Sequence, residues 1–236
     1  MNLVNVQKKS LLDYKAVIFD LDGTLYYQKP FSIRMALYLA GHMLAHPSSM
    51  KDVLLIKKYR EIRENWEILE KSTSYEVGNN LEKDLDSCQY EYVARVKKVS
   101  PERVKKAVSF FMFEAPLKLL PMYRDEAIFM LIGRLRDKGV KVVVYSDYPV
   151  KDKLNMLGIK ADACFTSSDE SIDCMKPDPK GIRVILETLG LTSDEAVMIG
   201  DRYEKDGIAA KENNVDYIIV SSSPKERKKI MCYYER

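Results

Sequence analysis

Apolar positions in this chain follow two rhythms. Ala16-Val-Ile-Phe19 runs without a polar break into Asp20, Val140 to Tyr145 leads into Ser146, and Ala196-Val-Met-Ile199 leads into Gly200-Asp201. Ala163-Cys-Phe-Thr166 and Tyr217-Ile-Ile-Val220 are further runs of the same kind. Short, uninterrupted apolar runs predict strands buried on both faces, as in a parallel sheet. Between them lie segments of helical periodicity, Arg124–Lys138, Val150–Leu157, Pro179–Leu189 and Tyr203–Asn213, three of them stopped by Gly139, Gly158 and Gly190. Strands alternating with helices predict right-handed crossovers and an α/β fold with a Rossmann-like parallel sheet.

From Phe31 to Glu114 the strand signal fades and the helical period takes over. A helix capped by Ser32 runs to His46. Leu55, Tyr59, Ile62, Trp66 and Leu69 form one apolar stripe, with Lys57, Lys58, Arg60, Arg63 and Glu64 on the opposite, polar side. Ser72 to Asn80 reads as a polar loop. Tyr90, Val93 and Val96 mark a third helix, and Ser100-Pro101-Glu102 opens a fourth whose buried face is Val104, Ala107, Val108 and Phe111. Four packed helices make a small bundle of their own. Because the first strand belongs with the later ones, this block is an insertion. The expected division is a core of residues 1–27 and 118–236 around an all-helical domain of residues 28–117, joined by strand-like hinges near Tyr26-Tyr27 and Leu119–Pro121.

Composition changes this picture little. With 46% hydrophobic and 31% charged residues, the 236-residue chain is that of a globular protein large enough for a core and a second domain. A net charge of +3 is too small to argue for nucleic acid or a membrane surface. Part of the excess sits in Lys225-Glu-Arg-Lys-Lys229, which reads as a basic tail exposed to water. No apolar run approaches a membrane span, and Met1 to Lys15 lacks the apolar centre of a signal peptide. Cys88, Cys164, Cys174 and Cys232 show no metal-binding spacing, so free thiols in a cytoplasmic protein are expected. The oligomeric state, monomer or dimer, stays open.

The chemistry lies where the apolar runs end. In a parallel sheet the carboxyl ends of strands share one edge, so Asp20, Asp22, Ser146 and Asp201 converge there from distant parts of the chain. Lys176, between Met175 and Pro177, and Asp206, five residues past Asp201, complete the set. Some of these have plainer readings. Ser146-Asp147 is also the start of a helix cap, and a lone Lys176 is also a surface lysine. His42 and His46, one helical turn apart, have no third ligand nearby and read as solvated or satisfied histidines. Tyr26 and Tyr27 fit either the mouth of a site or packing at the hinge.

Taken in order, these residues resemble the four motifs of the haloacid-dehalogenase superfamily. Asp20-Leu-Asp-Gly-Thr24 is similar to its first motif, Ser146 to its strand-end serine, Lys176 to its lysine before proline, and Gly200-Asp-Arg-Tyr-Glu-Lys-Asp206 to its last. The inserted helices are similar to the superfamily's first class of cap domain. The resemblance implies a phosphatase, since dehalogenases carry no acid at the position of Asp22. Four carboxylates against one lysine, with a phosphate ester added, call for a hard divalent cation, and Mg²⁺ fits. The side chains of Asp20 and Asp201 and the backbone carbonyl of Asp22 are its expected ligands, with Asp206 orienting a water or Lys176.

In this reading Asp20 is the nucleophile and Asp22 the acid and base. Ser146, Lys176 and the backbone amides near Leu21 and Asp22 hold the phosphate. The expected activity is Mg²⁺-dependent hydrolysis of a small phosphorylated metabolite through an aspartyl-phosphate. The alternatives are a sugar phosphomutase of the same fold and a non-enzymatic relative that binds phosphometabolites.

Overall fold

β1 (Ala16–Phe19) is the spine of the sheet because it offers only apolar side chains, all fully buried. In the computed structural model, which describes residues 9–65 and 84–228, β1 pairs in parallel with β2 (Lys141–Ser146) on one side. On its other side it pairs in parallel with β4 (Ala196–Gly200). β3 (Ala163–Thr166) and β5 (Asp216–Ile219) close the two edges, and the order is β3-β2-β1-β4-β5. Side chains alternate across the sheet. Ala16, Ile18, Val143, Tyr145, Ala196 and Met198 pack on one face with Ile182, Ile185, Ala209 and Ala210 of the covering helices.

Register decides what meets at the edge. Phe19 pairs with Val144 on β2 and with Ile199 on β4, so the residues one or two steps further along all emerge at the same level. Asp20 leaves β1 with its N–H donated to Ile199 O at 2.8 Å.

The structure divides into two compact units, one of Met1–Phe31 with Leu119–Arg236 and one of Ser32–Lys118. The chain leaves and re-enters the first of these at paired positions. Tyr26 bridges Arg124 in antiparallel fashion, and Tyr27 N donates to Tyr123 O at 2.8 Å. The strand-like pairing on the return therefore lies at Tyr123-Arg124. Leu119–Pro121, read from the sequence as strand-like, sits in a 3₁₀ helix, Leu117–Tyr123.

In the second unit the helices Met50–Glu64, Leu85–Lys97 and Pro101–Val108 pack on one another. The first helix does not start at Ser32 but at Gln28 and runs to Ala45. Pro30 is tolerated there because first-turn N–H groups have no intrahelical partner to lose. Its Ile33, Leu37 and Leu44 are exposed, while its His42 packs edge-on to Phe111 of the same unit.

Arg63 is a second departure. Assigned to the polar side by periodicity, it is buried, and Nη1 donates to Tyr59 Oη at 2.9 Å, Asp86 Oδ1 at 2.8 Å and Gln89 Oε1 at 2.5 Å. Acceptors from the helix Leu85–Lys97 make the burial of that charge tolerable. Trp66, Leu69, the Ser72–Asn80 loop, Lys229 and Cys232 lie outside the described residues. Among the described residues no helix is long and apolar enough to cross a membrane.

Candidate active site

β1, β2 and β4 deliver Asp20, Ser146 and Asp201 to one edge of the sheet, and a loop and a tight helical turn bring Lys176 and Asp206 between them. Lys176 is 2% exposed, and its ammonium donates to Asp20 Oδ1 at 2.7 Å and to Asp206 Oδ1 at 2.6 Å. It is a buried lysine, not a surface one. Its loop is fastened at both peptide groups: Lys176 N donates to Asp147 Oδ1 at 3.0 Å, and Lys205 Nζ donates to Lys176 O at 2.7 Å. Asp147 Oδ1 also accepts from Ser167 Oγ at 2.6 Å. Asp147 is thus a brace for the lysine loop rather than a helix cap. Thr24 Oγ1 donates to Asp20 Oδ2 at 3.0 Å, so both oxygens of Asp20 are oriented.

Asp206 reaches back to the edge because the segment after Asp201 is not one helix. Tyr203–Gly207 winds as a π turn before an α-helix, Ile208–Glu212. Asp206 Oδ2 closes the turn by accepting from Arg202 N at 3.1 Å. A Cβ on Gly200 would strike the Asp206 carboxyl group, which explains the glycine before Asp201. The single helix expected over Tyr203–Asn213 is corrected accordingly.

Asp22 stands on the other flank. Its Oδ1 accepts from the Tyr26 hydroxyl and from Lys153 Nζ, the latter at 2.5 Å, and its Oδ2 lies 3.4 Å from Ser146 Oγ. Ser146 Oγ accepts from Tyr148 N at 3.1 Å. Tyr26 is therefore both packed at the crossing and joined to the site. Lys153, on the helix Lys151–Leu157, was missed from the sequence, as were the placements of Thr24 and Asp147. No motif marks Lys153. His42 and His46 lie in the other unit, their rings 4.8 Å apart, with His42 edge-on to Phe111.

The electrostatics follow from an excess of carboxylates. Burial, together with Asp206 and Asp201, pushes the Asp20 carboxyl well above its ordinary range despite the opposing charge of Lys176. Asp201 is pushed up to about 6 by burial and by Asp206. Burial works against the Lys176 ammonium, but Asp20, Asp206 and Asp147 outweigh it and hold its pKa well above that of ordinary lysine. Asp22 goes the other way: burial would raise it, but the charge and hydrogen bond of Lys153, helped by Tyr26, keep it below its usual value.

Oxygens of Asp20, Asp201 and Asp206 lie within 4.8 Å of one another. Asp206 already serves Lys176 and Arg202 N, whereas no hydrogen bond from the described residues reaches the Asp201 carboxylate, which rests against Gly23. A set of hard oxygen donors short of positive charge fits a divalent cation such as Mg²⁺.

A family model described as a haloacid dehalogenase-like hydrolase matches residues 14–214. The chain is 25% identical over 211 residues to a phosphoglycolate phosphatase of Rhodospirillum rubrum, covering 88% of this chain and 79% of that one. It is 29% identical over 195 residues to a glyceraldehyde 3-phosphate phosphatase of Methanopyrus kandleri, covering 81% and 77%. Among solved structures, a 2-haloacid dehalogenase from Pseudomonas syringae superposes with a TM-score of 0.62 at 17% identity, over 94% of this chain and 99% of the other. A phosphatase from Thermococcus onnurineus does so at 0.52 and 20% identity, over 88% and 86%. At those identities the structural likeness speaks for the fold.

Proposed function

The chain belongs to the haloacid dehalogenase-like hydrolases, and from that premise we propose that it is a Mg²⁺-dependent phosphatase that hydrolyses a small phosphorylated metabolite through an aspartyl-phosphate on Asp20. The observation that carries the reading is Asp20 itself. It is a buried carboxylate held by Lys176 on one oxygen and Thr24 on the other, two residues from a second carboxylate that faces Ser146. A dehalogenase has no use for that second acid. The two relatives described above are phosphatases of small phosphorylated compounds, which supports the same choice.

In the first half-reaction an oxygen of Asp20 attacks phosphorus as the bond to the leaving oxygen breaks, and Asp22, an ionised carboxylate in the unbound protein that takes up a proton as the anionic phosphate enters beside it, gives that oxygen its proton. Tyr26 and Lys153 occupy Oδ1 of Asp22, so the transferable proton belongs on Oδ2, the oxygen nearer Ser146. In the second half-reaction Asp22 takes a proton from the water that attacks phosphorus, and Asp20 is released with inorganic phosphate. Ser146, Lys176 and the amides of Leu21 and Asp22 hold the phosphate oxygens. Asp20 and Asp201, with the carbonyl of Asp22, would hold Mg²⁺, and Asp206 keeps Lys176 in place. When bound, the ion supplies positive charge to the phosphoryl oxygens.

We read residues 1–27 with 118–236 as the catalytic core and residues 28–117 as a cap that chooses among leaving groups. The two compact units support this division. A cytoplasmic location belongs to the same reading, supported by the free thiols of Cys164 and Cys174. The test is phosphate release from a panel of sugar phosphates, nucleotides and phospho-acids with Mg²⁺ present. Release from a subset of the panel is expected. Release from none overturns the reading, and a requirement for a bisphosphate without net release would point to a phosphomutase.

A further inference from the structure

Lys153 and Lys176 are both ammonium groups at the sheet edge, but they are used differently. Lys176 is enclosed between Asp20 and Asp206. Lys153 has one hydrogen-bond acceptor among the described residues, Asp22 Oδ1, and lies over the Tyr148 ring at 5.5 Å. An ammonium carries three N–H donors. Two of the three on Lys153 therefore remain for something else, on a side chain only 12% exposed. A largely enclosed charge with donors left over and a tyrosine along one side is set up to meet an anion.

Its place in the site says which part of a substrate it meets. If Asp22 hands its proton to the leaving oxygen, the reading given above and the one on which this inference rests, then both that oxygen and Lys153 Nζ lie one hydrogen bond from the same carboxylate. Two such bonds in sequence put the ammonium within about 5–7 Å of the leaving oxygen, allowing for the width of the carboxylate. Lys153 thus stands beside the leaving group, paired with Asp22, while Lys176 is paired with Asp20 and Asp206. An uncharged leaving group leaves its spare donors unused, whereas one that carries an anion close to its ester oxygen satisfies them.

We infer that Lys153 is a specificity-determining residue of the core, selecting phosphate compounds whose leaving group bears its own negative charge near the ester oxygen. A carboxylate or a second phosphate supplies the same chemistry, and the two are separated by the choice of probe.

The experiment compares kcat/KM of the Mg²⁺-loaded protein for a matched pair, 2-phosphoglycolate and 2-hydroxyethyl phosphate, which differ in whether the leaving group is a carboxylate or a neutral alcohol. Pyrophosphate serves as the second anionic probe. The wild type should favour one or both anionic compounds. Lys153→Met should shrink the ratio by about 10- to 100-fold, the range of a hydrogen bond to a charged group, and Lys153→Arg should restore much of it. Using the ratio removes any general loss of activity shared by both substrates. If Lys153→Met does not fold, the wild type still decides through its order of preference among 2-phosphoglycolate, 2-hydroxyethyl phosphate and the cationic phosphoethanolamine. Hydrolysis with a flat order, or a ratio unmoved by the Met variant, overturns the inference while leaving the phosphatase reading intact. Release from none of these or any other phosphate ester overturns both.

Discussion

Arg227 and Asp125, 102 residues apart, form a buried ion pair with Nη1 3.0 Å from Oδ2. Arg227 is 3% exposed, although the sequence places it in a basic tail. Its other donors go to backbone carbonyls: Thr24 at 2.8 Å, Ser221 at 2.6 Å and Gly23. Asp125 in turn caps the helix Glu126–Asp137 by accepting from Ala127 N and Ile128 N. One guanidinium thus ties the end of the described chain to the Gly23-Thr24 turn that closes the first motif and to the start of a core helix.

Replacing that guanidinium should cost both stability and activity. Arg227→Gln leaves Asp125 buried without its counter-charge, a loss on the order of 3–5 kcal/mol. It also frees the carbonyls of the Gly23-Thr24 turn. Urea denaturation and initial rates measured on the same preparation check this. Arg227→Lys should lie between, since an ammonium keeps the charge but not the planar fork. Wild-type stability in the Gln variant would show that the pair contributes nothing.

Asp20→Asn should abolish phosphate release while the fold persists, because shape is retained and Lys176 keeps Asp206 as its partner. Asp22→Asn should behave differently, losing about 10²–10⁴-fold with poor leaving groups and less with good ones, as expected for a lost general acid. A series of aryl phosphates of graded leaving-group pKa measures it. A uniform loss across the series would take the acid role from Asp22.

Gly23→Ala tests the proposed cation position. Gly23 has φ +96°, a left-handed conformation that strains an L residue, and a Cβ there would collide with the Asp201 carboxylate. Pushing Asp201 aside should raise the Mg²⁺ concentration needed for half-maximal activity by at least about tenfold, the effect of 1.4 kcal/mol. Asp201→Ala should do the same without the backbone strain. A metal titration unchanged in both variants would rule Asp201 out as a ligand.

Dependence on pH follows from the direction of the Asp201 shift. Its folded pKa, about 6, lies above its ordinary value of 3.8. The metal-free folded protein therefore binds a proton there more readily than the unfolded chain. That contribution to stability is fully present below pH 4 and is lost as pH rises through about 6. Asp20, also raised, acts in the same direction. Mg²⁺ should offset the loss, so the gain in thermal midpoint on adding the ion should be larger at pH 7.5 than at pH 5, and a chelator should remove activity. Equal gains at the two pH values would contradict a carboxylate cluster that awaits a cation.

Much of this protein is written locally in its sequence. The apolar runs ending at Phe19, Tyr145 and Ile199 are strands because their apolar residues are continuous over at least four positions, with Lys141 falling only at the exposed start of the second, and each agrees with the observed element to within a residue or two at its ends. Once those strands are parallel, their carboxyl ends must share an edge, so the meeting of Asp20, Ser146 and Asp201 follows from order and topology, whereas Lys176 and Asp206 are brought in by a loop and a tight turn. Tertiary structure decided what periodicity cannot carry. Lys153 reaches Asp22 across 131 residues, and Arg227 reaches Gly23 across 204. A lysine or arginine in a local pattern reads as a solvated charge. Whether it is buried depends on acceptors supplied by distant segments, and only the folded chain brings those within hydrogen-bonding distance.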